Sequence, residues 1–355
     1  MKISHTDIEA IAIGGAFLAT GGGGDMLVGR MMTTRVLREH GAVDLLTLDE
    51  LAPNATVVSI GGVGAPTIML EKISNGSEPI RALETLERHI GRRADALIAF
   101  EAGGMNALVP FIPAVLRGIP VLDGDGMGRA FPEMQMESFS IYGVSATPAG
   151  LAAELGDTAI INARNSRIAE KLVRDFAIIA GGGHCISAEH VMSGKVAKRV
   201  SVPGTISLCL EIGRILGARR GDAAAFLADL AACLAPSHYG ECRHLFSGKV
   251  IDVERRVERG FDIGEVRLEA FADPKRRLTL TFQNEYLIAR LNDRVIAMTP
   301  DLICAIDAET VEPVTTESLR YGQRLSVIGI GAPAIMRSEQ ALEAVAPRCF
   351  GFDLD

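Results

Sequence analysis

Two textures divide the chain. Up to about residue 165, short unbroken apolar runs alternate with segments of helical periodicity; beyond about residue 248, closely spaced strand-like runs follow one another through turn residues. Ile8, Ile11, Ala12 and Leu18 share one face of a helix predicted over 6–20, with Thr6 and Asp7 suited to cap it. Four glycines (21–24) end it, and a second helix is predicted from Asp25 to about residue 40. Strands are predicted at 43–48, 55–60, 96–100, 119–122 and 158–162, with helices at 77–90 and 107–117. Unbroken apolar runs suit strands covered on both faces, and their alternation with helices predicts right-handed crossovers and a parallel sheet. Beyond residue 165 the pattern predicts helices at 166–175, 205–216 and 222–234, and strands at 176–180 and 196–202. Five further strands between 250 and 298 and a last one at 325–330 read as a sandwich or barrel. The expected fold is therefore α/β: a parallel-sheet N-terminal domain over 1–165 and a β-rich (α+β) C-terminal domain over 166–355.

The strand ends change this from a fold to a candidate site. The run at 55–60 is followed by Gly61-Gly62-Val63-Gly64, that at 96–100 by Glu101-Ala102-Gly103-Gly104-Met105-Asn106, and that at 119–122 by Asp123-Gly124-Asp125-Gly126. Open α/β sheets bind ligands outside the carboxyl ends of their strands, and glycine there lets a ligand approach the backbone. Glu101, Asn106, Asp123 and Asp125 are thus expected to face one crevice, with Gly103 beside them. Each alone also reads as a cap or turn residue. Arg129 reads either as a structural partner of Asp123 or Asp125, or as a planar fork for a substrate carboxylate. Glu133 lies four residues on, on the same face if that segment is helical. Gly22, Gly23, Gly24 and Asp25 read equally as a helix–helix turn and as an anion or ligand seat at a helix N-terminus.

Composition narrows the chemistry. The chain has 355 residues, 48% hydrophobic, with a formal net charge of −8. No long basic run is present, so a nucleic-acid partner is not expected. The apolar stretches are too short to span a membrane and the N-terminus has no signal-peptide pattern, so a cytoplasmic protein with no membrane partner is expected. A homo-oligomer is expected. The six dispersed cysteines read as free thiols. Neither His238, Cys242 and His244 nor His184, Cys185 and His190 has a zinc-site spacing. Glu101, Asp123 and Asp125 would suit a harder divalent metal, the one cofactor the sequence suggests. No Walker loop, dinucleotide fingerprint or nucleophile elbow is present.

The runs GGGGD (21–25), EAGGMN (101–106) and DGDGMGRAFPEMQM (123–136) resemble the N-terminal domain of the S-methyl thiohydantoin desulfurase family. In the second half, the runs starting at Gly248, Phe282, Thr299 and Leu319 and the closing FGFD (350–353) resemble it too. One departure is FQNEY in place of an Asn-Glu-Asn type of run, leaving Asn284 and Glu285 as the matched pair. The resemblance implies two domains and a hydrolase that acts on a hydantoin-type ring, removing the thiol of an S-methyl thiohydantoin by water attack. Asp123 or Asp125 would then serve as general base, and Glu101 or Glu285 as acid. Arg129 and the glycine-loop N–H groups would hold substrate oxygens, and Asn106 and Asn284 would orient the ring amides. Two alternatives are a non-catalytic ligand-binding or accessory subunit partnering a hydantoinase, and a ring-opening hydantoin or oxoproline amidohydrolase.

Overall fold

The computed structural model describes residues 1–23, 26–64, 76–258 and 261–354. The helix predicted first is α1 (Ile8–Leu18), and the next is α2 (Met26–His40). The strands are β1 (Lys2–Ile3), β2 (Val43–Leu46), β3 (Thr56–Gly64), β4 (Ala96–Ala99) and β5 (Val121–Asp125). Between them lie α3 (Glu78–Ile90) and α4 (Phe111–Arg117). The order β2-β5-β4-β3 is parallel throughout, so the carboxyl ends of β3, β4 and β5 lie along one edge, as the crevice rule requires. β5 runs through Asp123-Gly124-Asp125, so that Asp-Gly pair continues a strand and makes no turn.

The sheet is mixed, not wholly parallel. After α5 (Ser138–Ile141) come β6 (Ala149–Ala152) and β7 (Thr158–Ile161), then α6 (Ser166–Gly181) and β8 (His184–Ser193). β8 joins β3 antiparallel and carries β6 and β7. The strand expected at 176–180 is the end of α6: Ala169, Val173 and Ala177 are buried at helical spacing, while Ile178 and Ile179 face outward. Asn165 caps its start and Gly182, at φ 62°, ends it. The strand expected at 196–202 is α7 (Gly194–Val200), capped by Ser193, followed by the short β9 (Val202–Pro203). β9 pairs with β5, completing a nine-stranded sheet.

α8 (Thr205–Ala218) and α9 (Ala223–Leu234) follow. α8 packs tightly on α1: a Cβ on Gly14 would stand 1.8 Å from Cys209 O, and one on Gly213 1.8 Å from Ala10 O. Residues 166–234 thus add β8 and β9 and their helices to the first sheet, and the strands of the second sheet begin at Cys242.

The second sheet comprises β10 (Cys242–Glu258), β11 (Phe261–Ala270), β12 (Arg277–Gln283), β13 (Glu285–Leu291), β14 (Arg294–Met298), β15 (Leu302–Asp307) and β16 (Arg324–Ile330). All its pairings are antiparallel, in the order β14-β13-β12-β11-β10-β16-β15. It is one curled sheet, not the expected sandwich or barrel. Asn292 and Asp293, at φ 45° and 69°, make the tight β13–β14 turn that Asn-Asp predicts. α10 (Glu339–Val345) completes the chain's helices among the described residues. No helix among them is long and apolar enough to cross a membrane, and the six cysteines are free.

Candidate functional site

The carboxyl ends of β3 and β4 and the loop after β5 border a cleft of ≈ 770 Å³, counting its open mouth. Gly23 and the β12–β13 turn, with Asn284 and Glu285, close it from the side of the second sheet. Glu101, Glu133, Glu137, Glu170 and Glu285 all line it, with Arg174 and His184. Of the residues expected at the site, the structure brings Glu101, Asn106, Glu133, Gly23, Asn284 and Glu285 together here.

Glu101 leaves β4 into the cleft wall. One carboxylate oxygen accepts from Asn106 Nδ2 at 2.8 Å and the other from the Phe131 N–H at 3.2 Å. Burial raises its pKa to about 8, against the opposing effect of those two bonds. Asn106 turns its amide to the protein: its Oδ1 accepts from Gly62 N at 2.7 Å, and its Nδ2 donates to Glu101 at 2.8 Å and to Gly62 O at 3.4 Å. It positions Glu101.

Glu285 opens β13. Burial, and then the charge of Glu101, push its pKa well above the usual carboxyl range. Its Oε2 has no hydrogen-bond partner among the described residues. Gly22 makes room for it, since a Cβ there would stand 2.2 Å from Glu285 Oε1. Asn284 holds a left-handed turn at φ 58° and accepts from Asp262 N at 2.9 Å.

Asp123, Asp125 and Arg129 do not line the cleft. Asp123 Oδ1 accepts from Ile206 N at 3.0 Å and Ser207 N at 2.9 Å, capping α8 from outside the helix. Asp123→Ala is expected to lower stability by about 1–2 kcal/mol, the worth of a helix cap, with little change in turnover; thermal melting beside a rate assay checks both. Asp125 lies under the cleft floor, fully buried. Its Oδ2 gathers the N–H groups of Ala102, Met127 and Gly128 at 2.7, 3.2 and 2.8 Å. Burial nevertheless raises its pKa to about 7, because those bonds only partly offset the desolvation. Its work is to tie the loop after β4 to the loop after β5.

Arg129 spends its guanidinium on backbone and one hydroxyl. Nε donates to Ala130 O at 3.0 Å and Nη1 to Asp301 O at 2.7 Å. Nη2 donates to Thr20 Oγ1 at 2.8 Å and Tyr286 O at 3.1 Å. It is 1% exposed and joins the end of α1 to the second sheet, so it has no fork left for a substrate carboxylate. The glycine run is part of the same seam: Thr20 O accepts from Tyr286 N, Gly21 O from Thr316 N and Gly23 O from Met105 N. These residues offer carbonyls to the rest of the fold, where an anion seat was one expectation. Gly24 and Asp25 lie outside the described residues. Gly103 serves close packing, as its Cβ would stand 2.8 Å from Ala130 N.

Sequence reasoning missed Glu137, Glu170 and Arg174 as lining residues. Glu170 and Arg174 form an i,i+4 ion pair on α6, a spacing that reads as ordinary helix surface. Arg174 also donates to Pro132 O at 2.6 Å and lies 4.9 Å over the Phe261 ring. His184, a metal-ligand candidate by residue type, lies part-buried at the cleft, and burial lowers its pKa to about 4. The expected metal set of Glu101, Asp123 and Asp125 is not grouped among the described residues: Asp123 Oδ1 accepts from two N–H groups of α8 and Asp125 Oδ2 from three N–H groups of the flanking loops. Among the described residues, the side chains with ligand atoms grouped as a metal would need are Glu137, Glu189 and His190.

The fold is a two-domain α/β protein, and its carboxyl-lined cleft at the strand ends, closed by a hairpin of the second sheet, is a candidate small-molecule site. The chain belongs to the S-methyl thiohydantoin desulfurase-like family: the family model for the S-Me-THD-like N-terminal domain matches residues 6–163, and that for the S-Me-THD-like C-terminal domain matches 163–355. Among solved structures, the chain is similar to the crystal structure of a protein from Chromobacterium violaceum. The two are 25% identical with a TM-score of 0.86, over 100% of this chain and 98% of that one. No curated protein matches the chain.

Proposed function

We propose that the protein is a hydrolase that removes the methylthio group of an S-methyl thiohydantoin. Water adds to the ring carbon bearing sulfur, the C–S bond breaks, and methanethiol leaves. The carbon becomes a carbonyl and the adjacent ring nitrogen gains a proton, so that one water is consumed for each thiol released. The observation that carries this reading is the pair Glu101 and Glu285, two buried carboxyls on one cleft in unequal surroundings. Glu101 receives two hydrogen bonds that favour its carboxylate; Glu285 Oε2 receives none. Environments that separate two carboxyls in this way divide base from acid. Glu101 takes the proton of the attacking water, and Glu285 gives one to the ring nitrogen or the leaving sulfur. Asp123, Asp125 and Arg129 hold the walls. The family's link to thiohydantoins supplies the substrate class.

Incubation of the purified protein with an S-methyl thiohydantoin, followed by thiol titration and mass spectrometry of the ring, tests this. Equimolar thiol and hydantoin are expected. A ring-opened ureido acid without thiol would make the protein an amidohydrolase, and tight binding without product would make it an accessory subunit; either result removes the proposal.

The base must be ionised, which sets the pH dependence. Glu101 has a pKa raised to about 8 in the folded protein, so its working form is lost below that pH and gained above it. kcat/KM is expected to rise about tenfold per pH unit on the limb set by Glu101, up to about pH 8, and to fall again where Glu285 loses the proton it must give. Asp125, by its charge, moves this limb up and Arg129 moves it down. A profile that falls through pH 8 instead would assign Glu101 as the acid.

A further inference from the structure

We propose that Glu137, Glu189 and His190 form a binding site for one first-row divalent metal ion at the inner end of the cleft. Glu137 ends the loop that follows β5, and Glu189 and His190 are consecutive on β8. The three are 1%, 0% and 0% exposed. Glu137 Oε2 and Glu189 Oε1 have no hydrogen-bond partner among the described residues, and both face the same atom, His190 Nδ1, at 3.5 and 3.3 Å. A buried carboxylate oxygen without a donor is costly, and two aimed at one nitrogen call for a shared partner.

The spacing fits a shared metal ion. Charge-assisted N–H···O bonds are about 2.7–2.9 Å long, shorter than either separation here. Ligand atoms bound at about 2.0–2.2 Å to a common ion stand roughly 3.0–3.5 Å apart at tetrahedral or octahedral angles. The two measured distances fall in that range.

The surroundings orient the ligands. His190 Nε2 lies 2.9 Å from Ser140 Oγ, which lies 2.8 Å from Ser166 Oγ. With Nε2–H donated to Ser140, Nδ1 presents its lone pair to the carboxylates. Ser59 Oγ is 3.3 Å from Nδ1, but donates to Glu189 O at 3.2 Å. Glu189 Oε2 is held by the Ser187 hydroxyl, leaving Oε1 as the ligand atom. Adjacent strand residues ordinarily point to opposite faces. Here the β3–β8 register shifts between Val57 and Ser59, and His190 takes φ 45°, so that both side chains reach one place. One imidazole and two carboxylates suit Zn²⁺, Mn²⁺ or Fe²⁺ better than Ca²⁺, which takes six to eight oxygens. Glu137 also borders the cleft, which gives an ion its route in and out.

The proposal stands apart from the desulfurase chemistry, and its test reads metal, not turnover. Elemental analysis of the freshly purified protein is expected to show about one equivalent of a first-row metal, falling below about a tenth in Glu189→Gln and in His190→Gln and unchanged in Glu133→Gln. Chelation of the wild-type protein is expected to lower its melting temperature, with recovery on adding Zn²⁺ or Mn²⁺; this arm holds even if a variant fails to fold. Co²⁺ added to the chelated protein is expected to give a visible ligand-field band. Wild-type protein that holds no metal, and shows neither a thermal shift with Zn²⁺ or Mn²⁺ nor a Co²⁺ band, overturns the site. So does a folded Glu189→Gln protein that keeps its full equivalent.

Discussion

Glu101→Gln is expected to lower kcat for thiol release by about 10²–10⁴-fold while the protein stays folded, the loss typical of removing a positioned general base. Glutamine matches the shape of the side chain and keeps a carbonyl for Asn106 Nδ2, which now bonds Glu101 at 2.8 Å. It gives up the acceptor for the Phe131 N–H, a loss of about 1 kcal/mol. Removing a buried ionisable group works in the other direction, so the melting temperature should move little. The limb near pH 8 should vanish from whatever activity remains, because the group that titrates there is gone. Unchanged kcat with an unchanged pH profile would take Glu101 out of the chemistry and leave Asn106 and Phe131 holding a structural carboxyl. Glu285→Gln should also lose turnover but keep the Glu101 limb, which tells base from acid.

Arg129→Met should be the most damaging single change to stability in the region around the cleft, about 3–5 kcal/mol, seen as a fall of roughly 5–10 °C in melting temperature. The guanidinium is buried and supplies donors to three backbone carbonyls and Thr20. Leaving buried acceptors unsatisfied costs about 1–3 kcal/mol each, and two of these carbonyls lie on the side of the second sheet, that of Tyr286 in β13 and that of Asp301 just before β15. Arg129→Lys should recover little stability, since an ammonium cannot span the same fork. It keeps the positive charge that lowers the pKa of Glu101 and Glu285, so its pH profile should stay near that of the wild type, while that of Arg129→Met shifts upward. A wild-type melting temperature in Arg129→Met would show that the seam between the sheets is held elsewhere.

The residue pattern showed where the chain would build its site, and it showed less well what each residue would do there. β3, β4 and β5 were legible because strands buried on both faces leave continuous apolar runs, and the glycine and polar residues after them mark a ligand edge. The same logic failed at 176–180, where an apolar run on the outer side of α6 imitates a buried strand. It also could not say what Asp123 and Asp125 would meet. An acidic residue at a strand end reads the same whether it meets substrate or backbone N–H groups, and here α8 takes Asp123 Oδ1 and the two flanking loops take Asp125 Oδ2. Arg129 follows the same rule, since nothing local tells a substrate fork from a clamp on carbonyls more than a hundred residues away.

What the sequence determined by itself is therefore the α/β-then-β order, the glycine-lined strand ends, the family and the carboxylate character of the cleft. These depend on periodicity and local composition, which are properties of neighbours in the chain. Only the tertiary structure shows that Asp123, Asp125 and Arg129 are bonded to backbone groups away from the cleft, that Glu285 lies on one cleft with Glu101, and that Glu137 meets Glu189 and His190 under a bulge. Those roles are set by which donors and acceptors remain unpaired after packing, and that balance exists only once strands far apart in the chain lie side by side.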